Sequence, residues 1–98
     1  MAFEWDERKR AANLEKHGVD FELAKLIFDG PILEGPDDRR DYGEARTGAY
    51  GMAKGDVFFV VYTWRGDRRR LISARKAGTH EQEIYKARIA AETAEDDG

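Results

Sequence analysis

The sequence predicts an α+β fold: two N-terminal helices, a three- to four-stranded antiparallel sheet and a C-terminal helix, with the helices packed mainly on one face of the sheet. Three observations carry that prediction. Phe21, Ala24, Ile27 and Phe28 recur at helical spacing. The run from Val57 to Trp64 has the composition of a buried strand. After the strands, Thr79-His80-Glu81-Gln82 has the form of a capping box and opens a last helix.

Taken in order, Asp6 caps a first helix running to about His17, where Gly18 suits the left-handed position that closes a helix. This helix offers little apolar surface beyond Ala11, Ala12 and Leu14, so Phe3 and Trp5 ahead of it must supply much of its burial. Asp20 caps the second helix, Leu23 lies beside its apolar stripe, and Gly30-Pro31 ends it, so that the two helices form a hairpin. From Pro31 to Gly43, two prolines, Gly35 and the polar run Asp37-Asp38-Arg39-Arg40-Asp41 predict a loop with a short edge strand at Ile32-Leu33.

A strand follows across Ala45 to Met52, in which Gly48 and Gly51 point to close backbone approach or a bulge. The strand from Val57 to Trp64 is apolar on both faces and is therefore expected at the centre of the sheet, covered on both sides. Gly66-Asp67 makes a two-residue hairpin turn into a strand from Arg68 to about Arg75. In that register Trp64 faces Arg69, Tyr62 faces Leu71, Val60 faces Ser73 and Phe58 faces Arg75. The opposite face carries Val57, Phe59, Val61, Thr63, Arg70, Ile72 and Ala74 and, as the more apolar, is assigned to the core. The last helix turns Ile84, Tyr85, Ala87 and Ile89 toward the protein and frays after Ala91, which predicts one domain over residues 1–91 and a disordered acidic tail over 92–98.

Composition narrows the function. A chain of 98 residues, 41% hydrophobic and 38% charged, suffices for one small core and excludes most multi-domain enzyme architectures. No apolar run approaches the ~18 residues of a membrane span, and the acidic start at Glu4 and Asp6 is unlike a secretion signal, so a cytoplasmic location is expected. With no cysteine and two histidines, the sequence predicts no disulfide, no thiol chemistry, no dedicated metal site and no cofactor. The net charge of −3 is unevenly spread: residues 1–44 carry −5, residues 45–80 carry +6 and residues 81–98 carry −4. Because salt confines electrostatic fields to about 10 Å, the middle third is the candidate anion-binding surface despite the acidic total.

Within it, the stretch from Arg65 to Lys76 sets Arg65, Arg68, Arg69, Arg70, Arg75 and Lys76 against the single acid Asp67. Charge of this kind on a hairpin suits a solvated surface protected from edge pairing. It equally suits RNA, since in the predicted register Arg69 and Arg75 share a face with Tyr62, Trp64 and Ser73, mixing guanidinium donors with rings on which bases stack. His17 and His80 suit a helix end and simple exposure, or proton transfer. Glu44, Arg46 and Glu81 each suit an ion pair with a neighbouring arginine. No nucleophile elbow, phosphate-binding loop or dinucleotide-binding glycine pattern is present.

Phe3-Glu4-Trp5-Asp6, Asn13, Lys16-His17-Gly18-Val19, Phe21, Ala24, Phe28-Asp29 and Pro31 resemble the opening of the BrnT toxins. The second half is similar as well, in Gly43-Glu44, Arg46, Gly51, Val60-Val61-Tyr62-Thr63, Arg70-Leu71-Ile72-Ser73-Ala74-Arg75-Lys76-Ala77, Glu81 and Tyr85, so that the resemblance spans about residues 3 to 86. Gly78 departs from it, standing where the family commonly has threonine; Thr79 and His80 replace frequent bases, and Ala45 replaces a frequent acid. The resemblance implies a ribonuclease toxin of a type II toxin–antitoxin pair with a RelE-like fold. It also implies a BrnA-like antitoxin bearing a ribbon-helix-helix DNA-binding part, with promoter DNA contacted only through that antitoxin.

The expected activity is metal-independent cleavage of single-stranded or ribosome-presented RNA by attack of a 2′-hydroxyl on the adjacent phosphate, which needs a base, an acid and donors for developing negative charge. Arg75 and Arg46, with Arg70 as a third, are the expected phosphate stabilisers; Tyr62 or Trp64 is the stacking surface, with Arg69, Ser73 and Lys76 as further RNA contacts. The base is open among His17, Glu44 and His80. The antitoxin is expected on the face carrying Tyr62, Trp64, Arg69 and Arg75, in assemblies holding two toxins bridged by the antitoxin dimer. The alternative is a binding module whose basic sheet face grips a protein or nucleic acid without cutting it.

Overall fold

The computed structural model describes residues 2–96. Its elements are β1 (Phe3–Glu4), α1 (Glu7–His17), α2 (Phe21–Ala24) continued by a 3-10 helix (Lys25–Asp29), β2 (Ile32–Pro36), β3 (Thr47–Ala53), β4 (Asp56–Arg65), β5 (Arg68–Lys76) and α3 (Thr79–Asp96). The five strands form one mixed sheet in the order β1-β5-β4-β3-β2. The α+β class matches the expectation, but the sheet is not purely antiparallel. β1 pairs in parallel with β5, setting Phe3 beside Arg69 and Glu4 beside Arg70.

Local chemistry places the helices as the caps predict. Asp6 accepts hydrogen bonds from the backbone N–H groups of Arg8 and Lys9, and Gly18, at φ +70°, donates to the Leu14 carbonyl at 2.8 Å. Asp20 accepts from the Glu22 N–H and also receives both Nε and Nη2 of Arg10, at 2.7 and 3.0 Å, tying the two helices together. The one buried residue of α1 is polar: Asn13 donates to the carbonyls of Val19 and Ala74 and accepts from the Ala74 N–H, stitching the helix to β5. Phe3 and Trp5 do supply apolar cover, with Trp5 edge-on to Phe21 and Phe3 against Phe28.

Two expectations about the sheet are corrected. The main core lies under Phe58, Val60 and Tyr62, where Val19, Phe21, Ala24 and Ile27 pack against Ala49, Leu71 and Ala74. The face assigned to the core from its apolar content is the other one. β4 is apolar on both sides, so the small residues of β3 decide: a Cβ on Gly51 would lie 2.6 Å from Cβ of Ile27, so glycine there lets the helical segment close onto the sheet. The register is the second correction. Trp64 faces Arg69 and Tyr62 faces Leu71 as predicted, but Val61 faces Ser73, Val60 faces Ala74 and Phe59 faces Arg75. A bulge that leaves Ile72 without a partner flips the remainder of β5.

Helices consequently cover both faces rather than mainly one. On the second face α3 packs Tyr85 and Ile89 against Val57, Leu33, Tyr50 and Ala77, and the Tyr85 hydroxyl donates to the Pro31 carbonyl at 2.6 Å. The start of α3 differs from the expected box by one residue, because Glu81 accepts from the Gly78 N–H while the Gln82 amide donates to the Ala77 carbonyl. At its other end the helix continues past Ala91 to Asp96, and residues 97–98 of the expected tail lie outside the described residues. No helix among the described residues is long and apolar enough to cross a membrane.

Candidate nucleic-acid interface

Where α3 leaves the second face uncovered, a groove of about 740 Å³ opens between β2, the segment after it, the sheet and α3. Phe59 and Tyr50 form its floor, with ring centroids 4.7 Å apart, and Arg39, Arg75 and Arg88 stand around it. The floor is flat because the Phe59 ring lies diagonally across Gly48, which pairs with Val61: a Cβ on Gly48 would lie 2.7 Å from that ring. Arg75 and Arg39 lie over that ring at 4.9 and 5.8 Å from its centroid.

One carboxylate organises the inner end. Glu81, in the first turn of α3, receives Nη1 and Nη2 of Arg75 at 2.8 and 2.9 Å, the Tyr50 hydroxyl, and the Gly78 N–H at 2.8 Å. The Arg75 guanidinium first, then Tyr50 and the Gly78 amide, hold the Glu81 carboxyl far below the ordinary carboxylate range. Burial, with the negative charge of Glu81 beside it, raises the Tyr50 phenol, so that it keeps its proton at neutral pH. Glu81 and Arg75 are both about one-third exposed, which leaves the pair within reach of a ligand in the groove.

The outer wall is also paired. The buried Asp37 carboxylate receives Nε and Nη2 of Arg39 at 2.6 and 2.9 Å, which lowers its pKa, with a smaller contribution from the charge of Arg46. Arg46 stacks over Tyr42 at 4.0 Å and pairs with Glu44, which also receives Arg65. Arg88 has no ion pair among the described residues. No cluster of three or more His, Asp or Glu side chains is placed to hold a metal ion among those residues.

Of the residues singled out from sequence, Arg75 alone lines this groove. Arg46 stands behind its wall, Arg70 is held by Glu4 at 2.6 Å where β1 joins β5, and Lys76 pairs with Asp56. Glu44 forms the ion pairs expected of it. His17, at the exposed end of α1, and His80, exposed in α3, do not line the groove. The bulge breaks up the expected RNA face: Ser73 and Arg75 lie on the groove side, while Tyr62, Trp64 and Arg69 lie on the helix-covered side. There Tyr62 is buried with its hydroxyl on Glu34, and the Arg69 guanidinium lies 4.2, 4.7 and 5.1 Å from the ring centroids of Phe28, Trp64 and Tyr62. Tyr62 and Arg69 therefore cannot share a ligand surface with Arg75, and the antitoxin face expected from that grouping does not exist. Sequence reasoning passes over Tyr50, Phe59, Arg39 and Arg88, and Gly48 is the one signal that marks their meeting place.

A family model described as the ribonuclease toxin BrnT of type II toxin–antitoxin systems matches residues 5–81. The chain belongs to the BrnT family. A crystal structure of the ribonuclease toxin BrnT from Brucella abortus is similar, with a TM-score of 0.61 and 28% sequence identity over 81% of this chain and 99% of that one. No curated protein matches the sequence. As a BrnT toxin, the chain falls in a family of ribonucleases, to which an RNA substrate and an antitoxin partner belong.

Proposed function

We propose that this BrnT chain is a metal-independent endoribonuclease that binds RNA in the groove between β2, the sheet and α3 and cleaves it by 2′-hydroxyl attack on the adjacent phosphate. The observation that carries the reading is the meeting of Arg39 and Arg75 over the Phe59 ring in an open groove that Arg88 also lines. A base stacks on an aromatic floor without regard to its identity, and guanidinium groups bind phosphate through paired N–H donors. The pentacoordinate transition state carries more negative charge on its non-bridging oxygens than the ground state, and Arg75 is placed to meet it. Arg46, behind the wall, adds positive potential at the groove's edge. Arg70, His17, His80 and Glu44 stand outside the groove and take no part in this reading.

In the cell the same reading gives a cytoplasmic, RelE-like toxin that halts translation by cutting RNA, free or on the ribosome, until a BrnA-like ribbon-helix-helix antitoxin covers the groove. Incubating purified protein with single-stranded RNA, with and without EDTA, and then with translating ribosomes, tests it. Cleavage insensitive to EDTA is expected, and intact RNA under all three conditions overturns the reading. Affinity is expected to fall with salt along a slope of about −2, since three phosphates neutralised on a single strand release roughly 0.7 counterion each. If wild type and Arg75→Ala, expressed at equal level, are equally harmless to growth, the groove only grips its ligand.

A further inference from the structure

We propose that Glu81 occupies, in the free toxin, the place of an RNA phosphodiester, that the entering phosphate displaces it from Arg75, and that the freed carboxylate then takes the proton of the attacking 2′-hydroxyl. This rests on the reading of the groove as the RNA site and adds a latch and a base to it.

Three donors from three separate parts of the chain converge on this one carboxylate: the Arg75 fork from β5, the Tyr50 hydroxyl from β3 and the Gly78 N–H at the head of α3. Two parallel N–H bonds from one guanidinium are the geometry arginine gives to phosphate as readily as to carboxylate. A hydroxyl and a helix-opening amide complete what an anionic oxygen needs. The cradle is thus built for an anion and filled by the protein's own. Arg75 and Tyr50 join it to the groove, which both line, while Glu81 borders the small adjoining pocket with Leu33, Ile84 and Tyr85; Arg75 and Glu81 are both about one-third exposed, and Arg75 lies against the Phe59 floor. The pair stays open to solvent, so a phosphate brought in by base stacking and by Arg39 and Arg88 competes with Glu81 for the same fork.

Displacement changes the chemistry of Glu81. While Arg75 and Tyr50 hold it, the carboxylate is too weak a base to act. Once they turn to the phosphate, only the Gly78 amide remains, and the carboxylate recovers basicity at the moment when substrate is seated. The 2′-oxygen then forms its bond to phosphorus as its proton passes to Glu81. The bond from phosphorus to the 5′-oxygen breaks, and that oxygen leaves with a proton from water. Glu81 gives its own proton to solvent, leaving a 2′,3′-cyclic phosphate and a 5′-hydroxyl.

Glu81→Gln keeps an acceptor for the Gly78 amide and removes both the anion and the base. Binding is read by anisotropy with a 2′-O-methyl oligonucleotide, which carries the phosphates but not the nucleophile, and single-turnover cleavage with the matching ribo-oligonucleotide at saturating protein. Glu81→Gln is expected to bind about tenfold tighter than wild type and to cleave at least 100-fold more slowly. Glu81→Asp keeps a carboxylate too short for the Arg75 fork; it is expected to bind tighter than wild type and to cleave at least tenfold faster than Glu81→Gln. If neither variant binds more tightly the latch is overturned, and if Glu81→Gln cleaves at the wild-type rate, or Glu81→Asp no faster than Glu81→Gln, the base is overturned. Should Glu81→Gln fail to fold, judged by circular dichroism, Glu81→Asp against wild type decides the latch, and its loss of all cleavage overturns the base. Failure of wild type itself to bind and cleave overturns the groove reading and this inference together.

Discussion

Arg69 and Arg75 share a strand, a charge and a neighbourhood of aromatic rings, yet the two faces of the sheet give them opposite tasks. On the helix-covered face Arg69 is buried among Phe28, Tyr62 and Trp64, and its guanidinium serves as packing for three rings. On the groove face Arg75 lies over a single ring, holds a displaceable carboxylate and meets solvent. A desolvated guanidinium enclosed by rings stabilises the fold but is unavailable to a ligand. One that is about one-third exposed keeps its donors within reach of an incoming anion. The element that separates them is the bulge at Ile72, which turns the second half of β5 over.

Exchanging the two arginines for alanine tests that division most strongly. Arg75→Ala is expected to lower the single-turnover rate of RNA cleavage by about 10² to 10³, the range for removing one donor to a developing anion, while the melting temperature moves little. Arg69→Ala is expected to do the reverse, with about 2 kcal/mol of stability lost through the ring contacts and packing and the rate unchanged at temperatures where the protein is folded. Thermal melts and single-turnover assays on the same samples give both readings. Loss of activity by both variants in proportion to their instability would erase the distinction between the faces.

The glycines of β3 carry the comparison to the backbone. Gly51 faces the helices and Gly48 the groove. A methyl at Gly51 meets Cβ of Ile27, which the helical backbone holds in place, so Gly51→Ala is expected to cost about 1–3 kcal/mol by overpacking. At Gly48 the methyl meets the tip of the Phe59 ring, which tilts away more cheaply. Gly48→Ala is expected to melt within a few degrees of wild type but to bind RNA about tenfold more weakly, because the stacking floor is no longer flat. Denaturant titration and oligonucleotide binding separate the two, and equal stability losses would show that both faces are packed alike.

How much of this was legible in the sequence follows the range of the signal. Asp6, Gly18, Asp20 and the Gly66-Asp67 turn act over a few residues, and each stands where its chemistry puts it. The family was legible through co-occurring local motifs. The choice of core face was not, because β4 is apolar on both sides and the deciding close approach of Ile27 to Gly51 joins distant segments. Nothing at Ile72, a β-branched residue at home in a regular strand, announces a bulge. β1, with its two residues, is too short to show a period. Arg75 was legible as charge; Tyr50, Phe59, Arg39 and Glu81 come from separate elements, and only folding gathers them.

Acid reads the charge that Asp20 contributes to the fold on the helix side. The Asp20 carboxyl, held by Arg10 first and by the Glu22 amide, is lowered to about 2 from its ordinary 3.8. A carboxyl whose folded pKa is depressed adds stability above its unfolded pKa and loses it as pH falls through the folded value. Asp20→Asn keeps the cap but not the charge, since asparagine caps about as well as aspartate. The stability gap between wild type and Asp20→Asn is therefore expected to be full at pH 7 and to close between about pH 4 and pH 2. Thermal melts across that range measure it, and a gap independent of pH would show that Asp20 acts by its cap alone.

The smallest expected effect lies at the hinge between the faces, where β5 hands over to α3. Gly78 precedes the helix, and Glu81 returns a bond to its N–H, so one half of a capping box is present. The other half, a side-chain oxygen accepting from the Glu81 N–H, is missing because glycine has none. A Cβ at Gly78 meets nothing closer than Oε1 of Glu81 at 3.4 Å, ordinary contact distance. Gly78→Thr therefore completes the box without a clash, and since glycine at this position is only a few tenths of a kcal/mol worse than a good cap, the melting temperature is expected to rise by about 2 °C. The hydroxyl caps the backbone and leaves the Arg75 fork untouched, so RNA affinity is expected to stay within twofold of wild type. A stabilised variant that binds RNA markedly more weakly would mean that tightening the first turn of α3 also tightens the grip of Glu81 on Arg75, and the two faces would then be coupled through this one turn.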